Sequence, residues 1–448
     1  MPSLTPLHET YCRWDDTPPS QADLLEGFAQ FLTTPKQNLY GLMHNIQTEL
    51  LSSVLGLSEE RAQRLQRMCL INQFNHTVYE VMRQSGSRII APSLRKILEH
   101  NPQLRQKSLS PIAQEVLSIL NGIAGDYFLL QQNPLALPMV LYDHYGAIQR
   151  GDVGGRVVIF VHGLCMSHRY WSNHRYEGIG ERLLAQRDYN TMLYLNYNTG
   201  RRISANGRSL SNLLEDLIER NPRIHSIDLI GHSMGGLVCR SALFYGKQEQ
   251  KHWFHRTQNL VCIGSPHHGA ALERFGFRLQ ESLGRFPLVK IARHVVNLRS
   301  NGILDLRYGS VRDDDWEHMS ARIGSMNDSR KPAPLPSHIN TFFIAGTMEF
   351  KKIKTKTMAV IGDYLVSVKS ALGEHPNPRF NLNLPDSHKA VFYGLNHFNI
   401  PYHPSVAEQI TRWLYPNPEL PEQNFLHRHV VDLGIYELDT LLEMQSED

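Results

Sequence analysis

From residue 139 onward, short apolar runs alternate with longer amphipathic stretches, and this alternation constrains the fold more than any other feature of the chain. The apolar runs are MVLYDH (139–144), RVVIFV (156–161), NTMLYLNY (190–197), SIDLI (226–230), LVCIG (260–264), INTFFIAG (339–346) and AVFYGL (390–395). Several are almost free of polar residues, the pattern of parallel strands covered on both faces. Between them, RSLSNLLEDLIERN (208–221), GGLVCRSALFYGK (235–247) and VAEQITRWLY (406–415) carry helical patterns, with apolar residues spaced to line one wall. Such alternation predicts an α/β fold with a right-handed, doubly wound and mostly parallel sheet.

Upstream, residues 21–130 carry helical periodicity and no convincing strand. ADLLEGFAQFL, YGLMHNIQTELLSSVLGL and EERAQRLQRMCLINQFNHTVYEVMRQ show it most clearly. Ser20 with Asp23 has the spacing of a capping box, and Ser110 before Pro111 sets a cap ahead of a first-turn proline. NPLALPM (133–139) breaks the pattern. The expected organisation is an N-terminal helical region over 1–135 and a catalytic domain over 136–448. Within that domain, residues 271–338 separate two strands by more than a simple connection needs, which makes them a candidate lid. Arg274, Arg278 and Arg285 there interleave with Phe275, Phe277, Leu279, Leu283 and Phe286. That is the pattern of an amphipathic cover for acyl chains, or equally of a fixed helical wall.

The chain has 448 residues, enough to bury a core without staples. Its 41% hydrophobic and 20% charged content is ordinary for a soluble globular protein. A net charge of +3 gives no argument for nucleic acid or an anionic membrane, and no nucleic-acid partner is expected. The cysteines, Cys12, Cys69, Cys165, Cys239 and Cys262, are odd in number and scattered, as reduced thiols are. The first residues lack the apolar core of a secretory signal, and no run of about 18 apolar residues exists to span a membrane. The expectation is a cytoplasmic protein.

Chemistry enters at IDLIGHSMGGLVC (227–239). A strand that turns abruptly into a helix forces the turning residue into a strained conformation, and glycines on both sides remove Cβ clashes there. The turn lifts the Ser233 hydroxyl clear of the sheet, at a helix N-terminus where free N–H groups favour negative charge. The bare Gly-x-Ser-x-Gly pattern is weak, and its place between an apolar strand and an apolar helix gives it weight. A serine hydroxyl needs a base and the base an orienting carboxylate, both expected after later strands. His397 follows the final strand in AVFYGLNHFNI, and Asp363 follows the penultimate one in IGDYLVSVKSA. IFVHGLC (159–165) ends a strand in His162–Gly163, so the backbone N–H of Leu164 is one expected oxyanion donor and that of Met234 the other.

These blocks, VVIFVHGL, DLIGHSMGGLV, IGSPHHGA, GDYLVSVKSA and LNHFNI, resemble those of α/β hydrolases of the lipase and esterase kind over residues 138–415. More narrowly the chain resembles bacterial proteins related to triacylglycerol lipases and the GPI inositol-deacylase group, and LNGIAGDYFLLQQNPLALPM (120–139) looks like bacterial hydrolases of that type. The resemblance implies Ser233 as nucleophile, His397 as general base and Asp363 as orienting acid. One departure is Tyr364, where many lipases carry Gly after the acid. Asp313, Asp314 and Asp315 are rival carboxylates, read otherwise as a solvated acidic loop or, less readily, a calcium site.

Other residues point to packing rather than chemistry. His267 and His268 read as walls of the site, since no third ligand sits at metal spacing. His232 is expected to pack under the turn. Cys165 lacks a base and reads as a small packing residue. KKIKTK (351–356) is a solvated loop or a contact for anionic lipid headgroups. Together these readings predict a serine carboxylic-ester hydrolase needing no cofactor and no metal. Its partner would be an acyl-ester small molecule or a lipid, with peripheral contact to a lipid surface as a further option. The alternatives are an acyltransferase or thioesterase on the same site, and a non-catalytic binding module of the same fold.

Overall fold

The structure is a computed structural model that describes residues 16–33, 100–172, 178–185, 189–270, 300–315, 330–349 and 362–415. Seven strands form one sheet: β1 (Val140–Tyr142), β2 (Gly155–Val161), β3 (Tyr189–Asn196), β4 (Ile224–His232), β5 (Thr257–Ile263), β6 (Asn340–Thr347) and β7 (Lys389–Tyr393). Each falls on one of the seven apolar runs. Their spatial order is β1-β3-β2-β4-β5-β6-β7. β1 pairs antiparallel with β3, and every other pair is parallel.

The helices are α1 (Gln21–Thr33), α2 (Pro111–Leu130), α3 (Ile179–Leu184), α4 (Ile203–Arg220), α5 (Met234–Gln248), α6 (His252–Arg256), α7 (Asn301–Tyr308), α8 (Val368–Ala371) and α9 (Pro404–Leu414). The strands are apolar on both faces because both are covered. Val157, Ile159 and Val161 of β2 join one core with side chains of α2, α4 and α5. Val158 and Phe160, which alternate with them, join a second core with α3 and α9. This is the layering of a doubly wound α/β sheet.

The sheet also fixes where a site can form. After β2 the chain moves to one side for β3, and then crosses to the other side for β4. The carboxyl ends of β2 and β4 therefore flank the point where strand order reverses, the place where open α/β sheets leave a crevice.

Of the N-terminal helical stretches, ADLLEGFAQFL lies in α1, while YGLMHNIQTELLSSVLGL and EERAQRLQRMCLINQFNHTVYEVMRQ lie outside the described residues. Ser20 and Asp23 bond reciprocally: Ser20 N donates to Asp23 Oδ2 at 2.8 Å and Asp23 N to Ser20 Oγ at 3.2 Å. Ser110 caps α2 by accepting from Ala113 N. The boundary expected at residue 135 falls between α2 and β1. Leu117, Ile119 and Phe128 of α2 are buried in the same core as β2 and β3.

Within 271–338, the described part is fastened down. Ser300 Oγ donates to Gly122 O at 2.7 Å, Arg202 pairs with the buried Asp305 at 2.6 Å, and Arg208 pairs with Asp313 at 2.7 Å. Residues 271–299, which carry the Arg–Phe interleaving behind the lid reading, lie outside the described residues, as does KKIKTK. No helix among the described residues is long and apolar enough to cross a membrane.

Candidate active site

Ser233 stands between β4 and α5 with φ 54° and ψ −122°, a strained conformation for a residue with a side chain. Its neighbours explain the glycines. A Cβ on Gly235 would lie 2.0 Å from Val161 O, and one on Gly231 would lie 2.4 Å from Gly236 N. Neither contact is tolerable, so the turn can be this sharp only with hydrogen at both positions. Ser233 N donates to Ile263 O at 2.9 Å, tying the turn to the end of β5.

His397 follows β7 and reaches back across the sheet. Its Nε2 lies 2.9 Å from Ser233 Oγ and its Nδ1 lies 2.7 Å from Asp363 Oδ2. With a carboxylate at Nδ1, that nitrogen carries the proton, which leaves Nε2 to accept from the serine hydroxyl. Asp363 Oδ1 accepts from Leu365 N at 3.0 Å and Val366 N at 2.8 Å, and Asp363 O accepts from His397 N at 3.0 Å. Both oxygens of the carboxylate are thus committed, and the loops carrying Asp363 and His397 share a backbone bond. All three side chains are nearly excluded from solvent. Gly264, at the end of β5, lets this happen: a Cβ there would sit 3.2 Å from Asp363 Oδ2 and 3.4 Å from the His397 ring.

Tyr364 has φ 78°. The position after Asp363 thus lies in the left-handed region, which favours glycine. In this chain a tyrosine adopts the same conformation at a cost in strain, so the departure noted in the sequence leaves the turn intact.

The loop after β2 lies against the serine. A Cβ on Gly163 would meet Ser233 Cβ at 3.0 Å. The N–H of Met234 opens α5, so it has no intrahelical acceptor. The loop itself is held from several sides: His162 Nδ1 bonds Gly163 O at 2.9 Å, Tyr197 OH donates to His162 O at 2.8 Å, and Cys165 N donates to Thr199 Oγ1 at 3.2 Å. Cys165 itself has φ 61° and is buried, and burial pushes its thiol up to about 12, far from a nucleophile's range.

His232 packs beneath the turn. Its Nε2 donates to His397 O at 3.0 Å, and its ring stacks on Tyr170 with centroids 5.1 Å apart. Burial, together with His397 beside it, holds this imidazole neutral, well below the ordinary histidine range. Tyr170 also donates to Phe398 O at 3.2 Å, and Tyr402 OH bonds Tyr170 O. Tyr170, Tyr402 and Thr199 thus steady the loop that carries His397 and the loop after β2, and sequence reasoning did not name them. Thr199 had a usable signal, since it lies just past the carboxyl end of β3. The two tyrosines carry none, because their partners are backbone carbonyls far along the chain.

The rival carboxylates stand elsewhere. Asp313 pairs with Arg208, Asp314 with Arg312 and Lys331, and none of the three bonds His397. They differ from a solvated loop: Asp315 is buried, its Oδ2 accepting from Val311 N and Arg312 N and its Oδ1 from Lys331 N. Among the described residues no group of three or more His, Cys, Asp or Glu is arranged to hold a metal ion.

Residues 152–375, half of the chain, match the family described as PGAP1-like alpha/beta domain. The chain belongs to the PGAP1-like alpha/beta domain family. The family match ends at residue 375, so it takes in Ser233 and Asp363 and stops before His397. No curated protein matches the chain. Among solved structures, it is similar to the mature Bacillus licheniformis lipase BlEst2 (18% identity, TM-score 0.35, covering 62% of this chain and 97% of that one). It is also similar to the Bacillus subtilis naproxen esterase, carboxylesterase NP (14% identity, TM-score 0.33, covering 62% and 87%). A third is the Pyrococcus furiosus esterase PF2001 (18% identity, TM-score 0.34, covering 61% and 88%). The α/β-hydrolase fold of this member of the family rests on its own sheet order and on the family match.

Proposed function

We propose that the chain is a serine-dependent carboxylic-ester hydrolase of the lipase or esterase kind, working through a covalent acyl-enzyme. One observation carries this reading: the continuous hydrogen-bonded line from Ser233 Oγ through the His397 ring to Asp363 Oδ2, at 2.9 and 2.7 Å. In the proposed cycle His397 Nε2 takes the hydroxyl proton as Ser233 Oγ attacks the acyl carbonyl. The carbonyl oxygen gains negative charge and is received by the N–H groups of Leu164 and Met234, a pair worth several kcal/mol in the transition state. His397 then protonates the departing alcohol, and next deprotonates the water that releases the acid. Asp363 keeps the proton on Nδ1 throughout and stabilises the imidazolium. None of these steps calls for a cofactor. The substrate class is an acyl-ester small molecule or a lipid ester.

Turnover of a short p-nitrophenyl ester tests the assignment. His397→Ala is expected to lower kcat by about four orders of magnitude or more with the fold intact, and Asp363→Asn by about the same through loss of the tautomer. Either variant keeping most of its activity would place the base or the acid elsewhere.

A further inference from the structure

A cavity of about 190 Å³, with room for about six waters, is lined from α5, the loop after β5 and the segments 309–315, 330–335 and 379–383. It shares supports with the site. α5 carries Ser233 at its cap and, two turns on, Arg240, which lines the cavity. The loop after β5 carries Gly264 against Asp363 and, three residues on, His267, which also lines it. His267 therefore lies within about 11 Å of Gly264.

Most of the charged groups around this cavity are donors, set among apolar side chains such as Val311, Leu335, Phe380 and Leu382. Arg240 is 7% exposed, and among the described residues its guanidinium spends two N–H groups: one on His267 Nδ1 at 3.2 Å and one on Ala333 O at 3.1 Å. No carboxylate pairs with it among the described residues. Because Nδ1 of His267 accepts, its Nε2 carries the proton. That Nε2–H is buried in a ring only 1% exposed and has no partner among the described residues. Arg330 donates to His267 O at 3.1 Å and faces His268 Nδ1 at 3.4 Å, and Arg379 adds a cation at the exposed rim. Lys331 completes the ring of charge, paired outward with Asp314 at 2.9 Å. One carboxylate lines the cavity, that of Asp315, and three backbone amides occupy its oxygens. Burial, with Arg330 adding to it, pushes Arg240 down to about 10, and burial with Arg240 nearby keeps His267 neutral. A negative guest beside Arg240 would relieve the first.

We infer that this cavity binds a phosphate-type oxyanion, held by the Arg240 guanidinium, with Arg379 attracting it at the mouth. The cavity admits a free phosphate ion or a phosphoryl group carried on an alcohol, the chemistry of a phospholipid headgroup. The inference does not depend on the proposed ester hydrolysis.

Calorimetric titration of the full chain with inorganic phosphate, at fixed ionic strength made up with chloride, tests it without any turnover. Saturable binding of one phosphate, with Kd of about 10 mM or tighter, is expected. Arg240→Gln should weaken it about tenfold or more, as loss of a charge-assisted donor does. Arg379→Glu, at an exposed position where folding is not at risk, should weaken it about fivefold or more. Glycerol 3-phosphate separates the two sources: competition by it means that the cavity accepts a phosphoryl group on an alcohol, and phosphate binding alone means a free ion. Absence of saturable binding, equal competition by chloride, or wild-type affinity in both variants would overturn the inference.

Discussion

At the scale of single residues, the site is built from side chains that pay different costs to stand where they do. Ser233 and Tyr364 both occupy positive φ, one at the proposed nucleophile and one beside the proposed acid. Tyr364→Gly is expected to leave ester turnover within about threefold of the parent, because glycine adopts this conformation without strain. Tyr364→Val should destabilise by about 1–3 kcal/mol in denaturant unfolding, since a β-branched residue tolerates positive φ least. A Val variant as stable as the parent would show that the turn is free to relax. The three side chains that the structure brings together, Ser233, Asp363 and His397, stand out in the sequence because each follows an apolar run that reads as a strand. Tyr364 was legible only as a departure from a pattern. Its backbone conformation explains why the departure is tolerated, and no periodicity encodes that. Arg240 was harder still: an arginine inside an amphipathic helix reads as surface until the helix is known to be covered.

At the scale of elements, polar anchors fix helices that hydrophobic burial alone would leave free to slide. Glu215 of α4 accepts from His252 N at 3.1 Å, His252 Nδ1 at 2.7 Å and Trp253 N at 3.0 Å, and so caps α6. Burial pushes its carboxyl up, but the donors from Trp253 and His252 outweigh this, and the net shift is downward from 4.5. A carboxyl depressed in the folded state adds stability above its unfolded value and loses it as pH falls through the folded one. Glu215→Gln is therefore expected to cost about 1 kcal/mol at neutral pH. Its difference from the parent should shrink as pH drops below about 4.3. Thermal unfolding across that range checks the sign, and a gap that widens in acid would refute it. The capping pairs at Ser20 and Ser110 were readable because they are local. The anchors between α4 and α6, or between Arg202 and Asp305, join residues far apart in the chain and leave no mark on its spacing.

For the whole molecule, the strand order was only partly readable. Alternation of strands and helices implies a parallel sheet, and it does not by itself say that β1 runs antiparallel at the edge. Nor did it say which helix of the N-terminal helical region enters the core; α2 does so with Leu117, Ile119 and Phe128. Ser167 Oγ bonds Glu115 of α2 at 2.7 Å, and Cys165 fits against Gly122, so α2 also backs the loop after β2. A chain beginning at residue 136 is expected to lack a cooperative unfolding transition, because removing α2 bares Leu117, Ile119 and Phe128 on the core. A well-folded, active fragment would show that the helix is dispensable. The central claim, that Ser233 is a nucleophile made reactive by His397, meets its most direct test in labelling with a fluorophosphonate followed by mass mapping. One adduct is predicted on the tryptic peptide that contains Ser233, absent in Ser233→Ala and nearly absent in His397→Ala. An unlabelled wild-type protein, or equal labelling of Ser233→Ala, would contradict it.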